Sequence, residues 1–132
     1  MKKSLILVNN ICSVCLTTII FLLGGWDISL KLLIIVMVLD YLTGVFQAIY
    51  NGKLNSKIGL KGFIKKLLYL IAVSLSVVLD KVVGNTGTFR TLVIYFFVAN
   101  DGISIVENMG KMGIPLPNKI KDALEQLKER EW

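Results

Sequence analysis

The chain has 132 residues, 55% of them hydrophobic and 18% charged, with a net charge of +6. A soluble fold of this size needs a polar exterior that so few charges cannot supply, which excludes an ordinary soluble globule and points to the bilayer as the solvent. No His and only two Cys leave no ligand set for a zinc site, no His-based triad and no disulfide framework, so neither metal nor cofactor is expected.

Residues 5–23 form a first run of 19 without a charge, about 28 Å as a helix and close to one hydrocarbon core. Met1-Lys2-Lys3 resembles the start of a signal peptide, but Asn9 and Asn10 interrupt the run and no Ala-x-Ala-like site follows at Gly24-Gly25-Trp26. A retained span is therefore expected. Cys12 and Cys15, a C-x-x-C without a second pair, are expected to be small core residues. A second run, 32–50, is broken only by Asp40.

The connection 51–66 carries Lys53, Lys57, Lys61, Lys65 and Lys66 and predicts a basic loop suited to anionic headgroups. Gly52, Gly59 and Gly62 weaken a continuous helix there, and no aromatic residue interleaves the lysines before Phe63, which argues against a nucleic-acid surface. A third run, 62–83, reaches Asp80 and Lys81, and a fourth, 89–106, contains Asp101. Glycines and prolines between Gly110 and Pro117 then lead the chain out of the membrane. Residues 118–132 predict a short amphipathic helix capped by Asn118. Its stripe of Ile120, Leu124 and Leu127 lies between balanced charges that extend to Arg130 and Glu131, a pattern that fits a partner helix better than an anionic surface. The predicted architecture is all-α. A multi-pass membrane domain spans 1–117, with four helices, or three if the first does not cross, and a cytoplasmic tail covers 118–132.

Short basic connections resist translocation. In the four-span arrangement 12 Lys and Arg, from Lys2 and Lys3 through the 51–66 connection to the tail, fall on one side, against Lys31, Lys81 and Arg90 on the other. Both termini are therefore expected in the cytoplasm.

An acidic side chain deep in the membrane costs about 2.5–3.5 kcal/mol and normally faces a bundle interior or a water-filled path. At helical spacing Asp40, Gly44, Gln47 and Ala48 share one stripe, a packing or pore-lining face on which Gly44 and Ala48 form a small-xxx-small pair. Asp80 shares a face with Ser76 beside Lys81 and reads as a helix-end anchor, and Asp101 lies one or two turns inside the fourth run. Asp40, Gln47, Asp80 and Asp101 are the membrane-embedded candidates. Two intramembrane aspartates could share a proton as a catalytic dyad, but no proteolytic signature surrounds them, and no enzyme chemistry is expected.

The stretch Val38-Leu39-Asp40-Tyr41-Leu42-Thr43-Gly44-Val45, the Gly52-Lys53-Leu54-Asn55-Ser56-Lys57-Ile58-Gly59-Leu60-Lys61-Gly62 loop, and Ala99-Asn100-Asp101-Gly102-Ile103-Ser104-Ile105-Val106-Glu107-Asn108 followed by Met112-Gly113-Ile114-Pro115-Leu116-Pro117 together resemble the phage lysis and toxin-secretion holins. The likeness covers roughly residues 38–128, with Asp101 where that family is expected to carry Glu. It implies a homo-oligomer in the bacterial cytoplasmic membrane, in contact with lipids, that opens lesions to release an endolysin or a protein toxin. An antiholin or other regulatory subunit, and a small proton-coupled transporter using Asp40, are the rival readings.

Overall fold

The structure is a computed structural model that describes residues 1–130, without the Arg130 side chain. It contains α1 (Lys2–Leu22), α2 (Ile28–Tyr50), α3 (Ser56–Val83), α4 (Thr88–Lys111) and α5 (Asn118–Arg130), and no strand among the described residues. The first four are long and apolar enough to cross a membrane. The tail charge Glu131 lies outside the described residues.

Local chemistry sets the helix ends. The Asp27 carboxylate accepts from Leu30 N at 3.0 Å and starts α2, ahead of the second apolar run. Asn55 accepts from Lys57 N at 2.9 Å and starts α3; both are side-chain caps on otherwise unsatisfied N–H groups. At the far end of α3, Gly84 takes φ +119° and Asn85 φ +62°, a left-handed reversal that residues with a branched side chain would not adopt.

Two expectations are corrected here. Gly59 and Gly62 do not interrupt a helix: α3 runs unbroken from Ser56. A Cβ on Gly59 would lie 3.4 Å from the Tyr41 hydroxyl and one on Gly62 3.8 Å from its ring. The bare backbone lets the two helices approach, and that packing outweighs a glycine's intrinsic cost of about 1 kcal/mol in a helix. Cys12 and Cys15, in turn, are not in a core. They are exposed on α1, which buries none of its own residues.

The core belongs to α2, α3 and α4. Leu30, Leu33 and Met37 of α2 meet Tyr69 and Val73 of α3 and Ile94 of α4, joined by Leu23 from the end of α1. Tyr69 stacks on Phe97 with ring centroids 3.9 Å apart. Outside this core the helices carry long apolar stripes, among them Leu32, Ile35 and Leu39 on α2 and Ile71, Leu75 and Val78 on α3. In water such stripes would drive aggregation, whereas lipid tails solvate them.

The amphipathic tail helix, read from sequence as suited to a partner, docks on its own chain. Leu124 packs on Gly102 of α4, Lys128 Nζ lies 3.5 Å from Asn100 Oδ1, and the same ammonium sits 5.7 Å from the Phe96 ring centroid. Rising numbers on α5 meet falling numbers on α4, so α5 folds back along it. A Cβ on Gly102 would approach Leu124 Cδ2 to 2.7 Å. Gly102→Ala should therefore be absorbed by a rotation of Leu124, while Gly102→Leu should lift α5 off at a cost of about 1–3 kcal/mol. Hydrogen exchange across 118–130 should accelerate severalfold in the Leu variant only; equal exchange in both would mean that α5 is held elsewhere.

Candidate functional site: an intramembrane charge cluster

Asp40 on α2, Lys66 on α3 and Asp101 on α4 are widely separated in sequence, yet the bundle joins them. Lys66 Nζ donates to Asp40 Oδ2 and, at 2.8 Å, to Asp101 Oδ2. The side chains are 12%, 13% and 1% exposed for Lys66, Asp40 and Asp101. Lys66, expected in the basic loop with its head in water, instead turns inward. A buried cation with two carboxylates at hand gains more from pairing than from snorkelling.

Around this triad sits a second layer. Asn108 Nδ2 donates to Thr43 Oγ1 at 3.0 Å and to Asp40 Oδ1 at 3.4 Å. Asn100 Nδ2 donates to the Tyr69 hydroxyl at 2.7 Å, and the Tyr69 ring lies 4.9 Å below the Lys66 ammonium. Asp101 Oδ1 is buried without a hydrogen-bond partner among the described residues. Two acids share one base here, so the cluster carries a surplus negative charge whenever both are ionised.

A second charged layer closes the opposite end of the bundle. Arg90 donates to Asp27 at 2.6 and 3.0 Å, to Leu23 O at 2.7 Å and to Gly25 O at 3.1 Å. The guanidinium beside Asp27 holds its carboxyl below the usual carboxylate range, against a smaller opposing effect of burial. Asp80 does not join the triad. Its two oxygens accept from Phe89 N at 2.8 Å and Arg90 N at 2.9 Å, so it anchors the start of α4, where the helix dipole favours an anion.

The two layers are close together. Asp27 caps the start of α2 and Asp40 lies thirteen positions along it, about 20 Å at 1.5 Å per residue, against a hydrocarbon core of about 30 Å. Both layers cannot lie at opposite faces of an unthinned bilayer. Placing Ile28 and Tyr50 at the two interfaces sets the triad roughly 15 Å inside the Tyr50 end, by the same rise per residue.

The remaining candidates fall into distinct places. Gly44 faces Asn108, whose Nδ2 would be 3.7 Å from an added Cβ. Gln47 and Ala48 line a cavity between α2 and α3 together with Lys53 and Lys65. Lys57 and Lys61, exposed like Lys53 and Lys65, do not line it. Sequence reasoning did not single out Tyr69, Asn100, Asn108 or the Arg90 to Asp27 pair; an amide at helical spacing from an acid on another helix leaves no local signal. Among the described residues no group of three or more His, Cys, Asp or Glu could hold a metal ion.

The family model described as the bacteriophage holin family matches residues 17–129. An uncharacterized 14.9 kDa protein in the nagH 3′ region of Clostridium perfringens is 44% identical over 115 residues, covering 86% of this chain and 87% of that protein. An uncharacterized protein of Listeria monocytogenes is 38% identical, covering 79% of this chain and 74% of its own length. A probable holin of Bacillus phage phi105 is 30% identical over 95 residues, covering 72% of this chain and 70% of that protein. No solved structure matches the chain.

Proposed function

Since this membrane protein belongs to the bacteriophage holin family, we propose that it accumulates in the bacterial cytoplasmic membrane, self-associates and opens lesions large enough to release a folded endolysin. The tail and the basic 51–66 segment face the cytoplasm in this reading, and the protein makes or breaks no covalent bond.

The observation that carries the mechanism is the Asp40–Lys66–Asp101 cluster. Within one chain it is shielded, with Asp101 1% exposed and one of its oxygens unpartnered. Burial of charge is costly, and a partly satisfied polar network is the weak point of a packed bundle. When several copies separate α2 from α3 and line an opening, water reaches these groups and removes that cost. The bundle therefore has two arrangements, one dry and closed and one hydrated and open, with the cluster biasing their balance.

Inducible expression with and without a cytoplasmic endolysin tests the reading. Turbidity should fall abruptly only when both proteins are present, and Asp40→Asn should accumulate normally but shift the time of that fall. An intact culture with both proteins present would overturn the lesion reading; if the chain also delayed lysis by another holin, it would be an antiholin.

A further inference from the structure

The open cavity between the first turns of α3 and the last turns of α2 has a volume of about 380 Å³, within the range of small-ligand sites. One wall is apolar, formed by Val45, Leu54 and Ile58 with the bare backbones of Gly59 and Gly62. Several residues that border it elsewhere carry donors. Lys53 and Lys65, both exposed, line it with Tyr41 and Gln47, and none of the four has a side-chain hydrogen bond or ion pair among the described residues. Asp40, Lys66 and Asn108 also line it, but they are committed to one another. The cavity thus offers two uncommitted positive charges and two neutral donors beside an apolar wall, at the basic end of the bundle.

From this arrangement we infer that the cavity binds an anionic phospholipid, its phosphate held by Lys53 and Lys65 and its acyl chains laid against Ile58, Val45 and the two glycines. A phosphodiester only accepts hydrogen bonds, which matches donors that lack acceptors. Basic pockets between membrane helices on the cytoplasmic side are suited to such headgroups. A second copy's helix fits less well, because it would bury two ammonium groups without supplying a counter-charge. The inference rests on the proposed placement of this end in the inner leaflet, but not on lesion formation. Single-Cys labelling at Lys57 in intact cells, in a background lacking Cys12 and Cys15, tests that placement separately.

The full chain, reconstituted into vesicles of equal phosphatidylglycerol and phosphatidylcholine with matched acyl chains, is extracted in mild detergent and its retained lipids are counted by native mass spectrometry. Wild type should retain phosphatidylglycerol over phosphatidylcholine by about fivefold or more. The Lys53→Gln/Lys65→Gln variant should lose most of that preference, whereas Lys57→Gln/Lys61→Gln, which removes the same charge from positions outside the cavity, should keep it. Equal loss in both variants would reduce the effect to general surface attraction and overturn the site. So would an unchanged lipid ratio with a reduced dimer population in the first variant, which would assign the cavity to a second copy. Inorganic phosphate at matched ionic strength should not displace the lipid; displacement would show that the acyl chains contribute nothing.

Discussion

Lys66→Met is expected to remove most of the protein from the membrane, with a loss of about 3–5 kcal/mol in folding stability. The ammonium is the shared partner of two carboxylates, one of them 1% exposed, and without it both are left in an apolar bundle with only amide and hydroxyl neighbours. A loss of that size is a large part of a total stability of about 5–15 kcal/mol. Lys66→Arg should retain partial stability because it keeps the charge. Adding Asp40→Asn and Asp101→Asn to Lys66→Met should recover much of the loss, since a neutral set carries no unpaired charge. Membrane abundance by immunoblot and thermal unfolding in detergent distinguish these variants. Wild-type abundance and stability for Lys66→Met alone would show that the cluster does not hold the bundle together.

The second large effect is expected at the opposite layer. Arg90 ties α1 to the bundle through Leu23 O and Gly25 O as well as Asp27, and α1 has little other packing, its own residues all being unburied. Arg90→Ala should cost about 2–3 kcal/mol, the range of a few charge-assisted hydrogen bonds after exposure is allowed for. Hydrogen exchange in residues 22–30 should rise sharply while the triad region stays protected. Asp27→Asn should have a milder effect, because Asp27 is half exposed and the carbonyl contacts survive.

Acid sensitivity has a definite sign at this layer. Arg90 lowers the Asp27 carboxyl below its ordinary value, so this contribution is fully present above the unfolded value of about 3.9 and is lost as pH falls through the lower folded one. Between pH 7 and 5 the junction should be unchanged, and it should loosen only in stronger acid. In Asp27→Asn that acid-dependent part should disappear; the same acid response in the variant would assign it to another group.

The segments with strong local signals were legible in advance. The long apolar runs marked the four helices that are long and apolar enough to span, and the stripe of Ile120, Leu124 and Leu127 marked the tail helix, of which Asn118, expected as its cap, is the first residue. The start of α3 was not legible, because Gly59 and Gly62 look like helix breakers until Tyr41 is seen against them. Among the candidate residues, the spacing of Asp40 and Gly44 put them on one stripe, and Asp80 was read as an end anchor. Lys66 was assigned to a solvated basic loop because a lysine near a helix end ordinarily snorkels.

Sequence by itself determined the solvent and the helices, since the length of an apolar run and a turn glycine act over a few residues. Only the tertiary structure decided which charges meet. The partners of Lys66 lie 26 and 35 positions away, and Arg90 reaches Asp27 across 63. Such pairs depend on how helices rotate and approach, which the close contacts at Gly59, Gly62 and Gly102 set. The same packing separates the committed Lys66 from the uncommitted Lys65 beside it. One residue's rotation on the helix, about 100°, directs the Lys66 ammonium onto Asp40 and Asp101 and leaves Lys65 exposed beside the cavity that both residues line.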